Sequence, residues 1–289
     1  MSPPHRRTNF GIGTLVAALT LAASSSVPAQ ESANSAQFPR NPNIEIAYVR
    51  PAGGKFDLIH DRMRQLEVLE TLQEFLSPLK LPRKITVKMD QCGGALTVPY
   101  KQGVVTICYE HLASIRDTAP QDGFVSFGQG RELTADQAVA GGIARLILYE
   151  TSFAVFDVLK IPVWGRIEEA ADNVTALIML DFGEELAWTT ILGSAWYLAQ
   201  RGLLGTGYFS DAARPLEAQR FYNYLCFAYG AQAKSYEFLV NGFNLPPDRA
   251  KLCREEFFKL RRAFRATFMR HVDQKLIERV KNRKNWLPL

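Results

Sequence analysis

The sequence predicts a mainly helical α+β domain with a small antiparallel sheet, and three observations support this prediction. In residues 56–79 and 248–280, apolar residues recur three and four positions apart, which is the spacing of one helix face. Residues 138–182 have the pattern of two helices joined by a short turn that contains proline and glycine. In residues 84–109 the period changes to the alternation that is typical of strands.

The first 29 residues have the organisation of a secretion signal, and the rest of the chain is expected to form a single domain over 44–289. Arg6 and Arg7 precede an apolar segment at 12–23 that is too short to span a bilayer comfortably, and a small-residue cleavage site follows at Val27-Pro28-Ala29. A retained membrane anchor is the alternative. Residues 30–43 are rich in polar residues and proline, so we expect a disordered lead-in there.

The charge of the chain argues against nucleic acid as a partner. Removing the signal takes away Arg6 and Arg7 and no acidic residue, so the formal charge falls from +5 to +3. No RNA- or DNA-binding motif accompanies this mild positive charge. No later apolar run approaches the roughly 20 residues of a membrane-spanning helix, so we expect no membrane contact after cleavage of the signal.

The predicted strands and helix ends can be placed from the alternation of apolar residues and from turn residues. His60 is expected on the surface, because it stands outside the apolar face of its helix. Thr134 is a plausible N-cap for the helix that enters the central stretch.

The final stretch, residues 248–280, is expected to be one helix that packs on the core. Strands are expected at 44–48, 85–89, 95–99 and 104–108.

The chain contains four cysteines, an even number, which in an exported protein indicates two disulfides. Four cysteines allow three ways of pairing. A zinc site built from cysteines is not favoured, because no CxxC or CxxH spacing occurs.

The central stretch contains the residues that bear on catalysis. Zinc peptidases of the HExxH type place two imidazoles four residues apart on one helix face, with the intervening glutamate as general base. Here Tyr149 and Phe153 stand at the two imidazole positions, and Glu150 stands at the position of the base. A phenylalanine side chain cannot bind a metal. The next helix opens with a group of acidic residues, Glu168, Glu169 and Asp172.

These residues carry a resemblance to a bacterial family of predicted metallopeptidases that is classed as a domain of unknown function. The family core runs HELGHALxDxLxLPxxGxEEDAAD, and this chain reads YETSFAVFDVLKIPVWGRIEEAAD. Pro162, Gly165, Glu168 and Asp172 match the family core, whereas both zinc histidines are replaced. The resemblance extends over nearly the whole chain, with further matching segments at 92–112, 219–230 and 245–253.

The resemblance implies a zincin-like fold with the small sheet near the active-site helix, and a bacterial periplasmic or secreted location. Together with proximity in sequence, it favours pairing Cys92 with Cys108 and Cys226 with Cys253. It also implies a cleft that accepts a peptide or protein. The family does not use a histidine at the position of His111, so this residue is not assigned to a metal.

In an active relative, Glu150, Glu168, Glu169 and Asp172 would be drawn toward one cleft. Glu168 and Asp172 stand in the positions of the glutamate and its supporting aspartate in the ExxxD motif of related zinc enzymes. Clustered carboxylates without a cation repel one another, and at least one pKa should rise. We therefore expect a positive charge nearby, from one of three arginines, and Tyr149 to donate its hydroxyl to an acid. These arginines are Arg145, Arg166 and Arg214, the last at the position of a family histidine.

Three functional interpretations follow. The first, which the replaced histidines favour, is an inactive member of the family with a binding or scaffolding role and no cofactor, where its relatives hold zinc. The second is an active hydrolase whose metal is held by carboxylates alone, a ligand set that suits Mn, Ca or Mg better than Zn. The third gives the acids a structural role, because Glu168 and Glu169 lie in the first turn of a helix, where its dipole favours negative charge.

Overall fold

A computed structural model of the chain describes residues 40–128, 131–204, 217–241, 244–282 and 286. The predicted signal at 1–29 and most of the predicted lead-in lie outside these residues. Asn41 is already buried and donates from its Nδ2 to the Leu79 carbonyl over 2.6 Å, so the packed chain includes at least this end of the predicted lead-in. The described residues also form two short 3-10 turns, at Glu237–Leu239 and Met269–His271.

The strands are β1 (Ile44–Tyr48), β2 (Ile85–Asp90), β3 (Val104–Cys108), β4 (Phe124–Ser126) and β5 (Glu132–Thr134). The helices are α1 (Asp57–Gln65), α2 (Val68–Phe75), α3 (Tyr109–Arg116), α4 (Ala135–Val158), α5 (Ile167–Leu180), α6 (Glu184–Leu204), α7 (Glu217–Ala231), α8 (Pro247–Phe268) and α9 (Gln274–Asn282). The described chain is mainly helical with few strand residues, which confirms the predicted α+β class.

The main sheet has the order β1-β2-β3, and both pairs of strands are parallel. The prediction of an antiparallel sheet was wrong for these strands and holds only for the small pair β4-β5. Apolar alternation is the same in both kinds of sheet, so it cannot reveal strand direction. The connection decides it: α1 and α2 lie between β1 and β2, and parallel neighbours need such a crossover.

The connection between β2 and β3 also differs from the prediction, because residues 95–99 form no strand. The Glu110 carboxylate accepts hydrogen bonds from the backbone N–H groups of Cys92, at 2.9 Å, and Gly94, at 3.0 Å. The disulfide between Cys92 and Cys108 closes the same segment. These contacts hold residues 91–94 against the start of α3. The second disulfide joins Cys226 to Cys253, so both predicted pairings are confirmed.

Two stretches predicted as single helices are each interrupted. Glu67 adopts a left-handed backbone with φ of 50° between α1 and α2. The Tyr48 hydroxyl fixes this break, since it accepts from the Leu69 N–H and donates to Glu70, both over 2.8 Å. At the other end of the chain, a 3-10 turn at Met269–His271 separates α8 from α9.

His60 is buried rather than on the surface, so that prediction was wrong. Its side chain is only 2% exposed and lies edge-on to Tyr109, with 6.0 Å between the ring centroids. Nδ1 lies 2.8 Å from the Asp61 carboxylate. The helix face that seemed polar in the sequence is covered because α3 packs against α1.

Helix α4 lies at the centre of the fold and begins as predicted. Thr134 Oγ1 accepts from the Gln137 N–H while the Gln137 side chain accepts from the Thr134 N–H, which forms a capping box. Among the described helices, α4 is long and apolar enough to cross a membrane by length and composition, yet 83% of that window is buried within the protein. Such burial is expected of a core helix.

Helices α4 and α6 approach each other through a pair of glycines. A Cβ atom on Gly141 would lie 2.6 Å from the Thr189 carbonyl oxygen and 2.7 Å from the Gly193 Cα. A Cβ atom on Gly193 would lie 2.8 Å from the Ala138 carbonyl oxygen. The two backbones can therefore come this close only when neither residue has a side chain.

We predict that Gly141→Ala lowers the free energy of unfolding by about 1–3 kcal/mol, because the added methyl group forces the helices apart. Gly202→Ala is the matched control within α6, since its Cβ would meet nothing nearer than 3.7 Å. That change should be neutral or add up to about 1 kcal/mol through higher helix propensity. Urea unfolding measures both. If both substitutions changed the free energy of unfolding equally, the close approach of α4 and α6 at Gly141 would be contradicted.

Candidate functional site

Three helices converge on one buried carboxylate, that of Asp172 in α5. Oδ1 accepts from Arg145 Nη2 of α4 over 2.7 Å and from Arg220 Nη2 of α7 over 3.1 Å. Oδ2 accepts from Arg220 Nε over 2.7 Å. The Tyr224 hydroxyl of α7 lies 3.3 Å from Oδ1 and donates to it. Asp172 thus joins α4, α5 and α7 through side-chain hydrogen bonds.

The local sequence explains how these groups meet. Arg220 and Tyr224 stand four residues apart in α7, so they share one helix face. Ala171, beside Asp172, is fully buried, and its small side chain lets α5 pack closely on its neighbours. Asp172 lies in the second turn of α5, beyond the first-turn positions that the helix dipole favours for acids.

The two residues at the zinc-histidine positions form an aromatic pair beside this carboxylate. The rings of Tyr149 and Phe153 are nearly perpendicular, at 87°, with centroids 5.2 Å apart. The guanidinium carbons of Arg145 and Arg220 lie 4.8 Å and 5.1 Å from the Tyr149 ring centroid. Tyr149 therefore contacts both cations through its π face.

Opposite charges balance in this buried group. Arg220 Nη1 donates to the Glu217 carboxylate over 3.1 Å, so two guanidiniums face two carboxylates. The side chains of Arg145, Arg220 and Asp172 are 3%, 6% and 8% exposed. Ionic groups at such depth are tolerated only when they are paired and hydrogen-bonded.

Burial and pairing act on each ionisation in the group. Burial raises the pKa of the Asp172 carboxyl, while the Arg145 guanidinium stabilises its ionised form. Burial acts to lower the pKa of Arg145, but the carboxylates of Asp172 and Glu217 outweigh it and raise that pKa. Burial also raises the pKa of the Tyr224 hydroxyl, which keeps the proton that it donates to Asp172.

The structure brings together some of the residues that the sequence singled out. Arg145 supplies a positive charge to Asp172. Arg166 is exposed at the N-cap of α5, and Arg214 lies outside the described residues. Glu150 is buried in α4, and Glu168 and Glu169 are half-buried in the first turn of α5.

The four acids do not form one set of metal ligands. Within the described ranges, the one group of three candidate ligand side chains with their ligand atoms within 4.8 Å of one another is Cys92, Cys108 and Glu110. The two sulfurs of that group are bonded to each other, so it is not a metal site either. His111 packs in the core, where its Nε2 lies 2.7 Å from the Tyr197 hydroxyl.

Sequence reasoning missed Arg220, Tyr224 and Glu217 as members of this group. Gln219-Arg220 served only to align the chain with the family, although the arginine is the residue that contacts Asp172 with two nitrogens. Its charge directly before a run that is mainly apolar and aromatic, at 221–231, was the available signal, since such a charge needs a partner when it is buried.

The residues present do not fit the zinc ion that the HExxH pattern implies. Phe153 has no ligand atom, and the Tyr149 ring contacts two guanidiniums. Both oxygens of Asp172 already accept hydrogen bonds from these cations. A divalent ion added beside two fixed positive charges would be repelled.

We predict that Asp172→Asn lowers the free energy of unfolding by about 3–5 kcal/mol, because it leaves two buried guanidiniums without their shared counterion. Introducing Arg145→Met into that background should cost less than it does in the unchanged protein, since the two residues are coupled. Urea unfolding of the unchanged protein, the two single variants and the double variant measures the coupling free energy between the two residues.

The control for this cycle is Glu255→Gln, which breaks an exposed ion pair with Lys259 on α8. Exposed pairs contribute little, so we expect no clear change. If Asp172→Asn behaved like this control, the buried group would not be the constraint described above.

Comparison of the sequence with known protein families identifies one family that matches this chain. No curated protein and no solved structure matches the chain. The model of a family of unknown function described as "Putative metallopeptidase" matches residues 48–267, which include α4, α5, α7 and both disulfides. This match covers most of the chain, and the protein therefore belongs to that metallopeptidase family.

Proposed function

We propose that this protein is an exported, non-catalytic member of its metallopeptidase family, which keeps the fold and binds a peptide or protein. The observation that carries the proposal is the pair Tyr149 and Phe153 at the positions of the two zinc ligands, packed edge to face beside two guanidiniums. The aromatic pair and the cations support each other, so the replacement is built into the core.

The chemistry of peptide hydrolysis supports the same conclusion. In an HExxH enzyme the metal lowers the pKa of a bound water, and the glutamate then takes its proton. Glu150 alone can accept a proton, but bulk water is far too weak an acid to become a nucleophile without such activation. Asp172, a candidate carboxylate ligand for another metal, is engaged by Arg145 and Arg220.

The loop before α5 offers a surface for a binding role. Trp164 is 93% exposed and Ile167 is 38% exposed. They stand four residues and one residue before the half-buried Glu168. Tryptophan is enriched among the residues that dominate protein interfaces. This loop therefore supports the binding of a peptide or protein partner beside the start of α5.

Two features support export. The N-terminal 29 residues have the pattern of a secretion signal. The two disulfides, Cys92–Cys108 and Cys226–Cys253, suit an oxidising compartment such as the bacterial periplasm.

Elemental analysis of the purified protein tests the proposal directly. We expect no stoichiometric zinc, manganese or other transition metal, and no peptide hydrolysis when these metals are added. A relative that retains HExxH, purified in parallel, serves as control and should carry zinc. Stoichiometric metal in this protein would overturn the non-catalytic assignment.

A second measurement asks whether α4 still presents the family geometry. We predict that Tyr149→His combined with Phe153→His creates a zinc site, weakened by the nearby guanidiniums of Arg145 and Arg220, because the pair restores two imidazoles four residues apart on α4. Zinc binding is measured by calorimetry. The matched control, Tyr149→Phe with Phe153→Tyr, keeps the aromatic volume and should bind none. A folded double-histidine variant without zinc would contradict an inherited ligand geometry.

A further inference from the structure

An apolar cavity of about 430 Å³ lies on the face of α4 that points away from Asp172. Ile143 and Ile147 line it. An α-helix turns about 100° per residue, so these two side chains lie roughly opposite Arg145 and Tyr149, two positions further along in each case. The cavity is therefore separate from the buried ion group and from the proposed function of that region.

Helices α1, α2 and α3 enclose the other sides of the cavity together with Phe182 and Trp286. The walls are nearly all aliphatic or aromatic, and Thr71 is the one uncharged polar side chain in the described lining. A ligand with several polar groups would leave them without hydrogen bonds inside such a cavity, which is unfavourable. The interior thus selects an apolar group.

The charged residues of the lining are all exposed and lie toward solvent. They are Arg62 of α1, Arg116 of α3 and Asp136 of α4, so the lining itself contributes two cations and one anion. Arg116 pairs with Asp117 at 3.3 Å, with 57% and 69% of the two side chains exposed. Such an exposed pair is weak, and an incoming anion can replace it.

Leu58 also belongs to this opening and is 82% exposed. It is the most exposed leucine among the large apolar residues in the described chain, and it stands one turn before Arg62 in α1. An apolar side chain and two cations at the opening of an apolar cavity complement a molecule that has an apolar tail and an anionic head.

We propose that this cavity binds an amphiphile with one saturated hydrocarbon tail and an anionic head, the chemistry of an alkyl carboxylate. The tail occupies the space beside Ile143 and Ile147, and the head faces Arg62 and Arg116. The volume falls within the range of small-molecule sites, roughly 300–1,000 Å³.

Calorimetry with octanoate, decanoate and dodecanoate tests the proposal, at concentrations below those at which each amphiphile self-associates. Burial of each added methylene should raise the affinity about fourfold until the cavity is full. Alkyltrimethylammonium ions of the same chain lengths should bind more weakly, because the cations at the opening disfavour them. No dependence on chain length, or equal affinity for the cationic series, would overturn the proposal.

Two variants localise the binding. Ala140→Phe places a ring in the cavity and should lower the affinity for decanoate at least tenfold. Arg62→Gln with Arg116→Gln should remove the preference for the anionic series while decanol binding stays the same. The control Arg262→Gln with Arg265→Gln removes two exposed charges from α8 and should change neither.

If Ala140→Phe does not fold, the variant Arg62→Gln with Arg116→Gln still tests the proposal, because both residues are exposed and their replacement should not affect folding. If the double arginine variant still bound alkyl carboxylates more tightly than alkyltrimethylammonium ions, the proposal would be overturned. A protein dimer that dissociates on Ala140→Phe and has no affinity for any alkyl carboxylate would also overturn it, since the cavity would then accept a second copy of the chain.

Discussion

The hydrogen-bonded ion group around Asp172 is the constraint on which the helical core depends. Transferring a charged group from water into the protein interior costs free energy, and only a partner at hydrogen-bond distance offsets that cost. Arg145, Asp172 and Arg220 come from three different helices. Because each needs the others, the register of α4, α5 and α7 is set by polar geometry, and the surrounding apolar side chains then fill the space that this register leaves.

Helix α4 contacts a different part of the protein on each of three faces. One face contacts the ion group through Arg145 and Tyr149, and another meets α6 so closely that Gly141 has no room for a side chain. The face with Ile143 and Ile147 borders an open apolar space. The helix is thus fixed firmly on two sides, which allows the third side to remain incompletely filled without loosening the fold.

The sequence predicted the class of the fold, the capping box at Thr134 and both disulfides. It failed where a long-range contact decides local structure. The break at Glu67 depends on the hydroxyl of Tyr48, and the direction of the strands depends on where α1 and α2 pack. At the site, Arg145 could be proposed because excess acid requires a cation, whereas the role of Arg220 depends on a helix far along the chain.

The balanced charges around Asp172 also restrict how this sequence can change during evolution. A single substitution of Arg145, Asp172 or Arg220 leaves an unpaired ion in the core, so each one-step descendant is less stable than its parent. Histidines at positions 149 and 153 would remove the ring that both guanidiniums contact. The present arrangement and one with histidines at both positions are therefore separated by less stable intermediates.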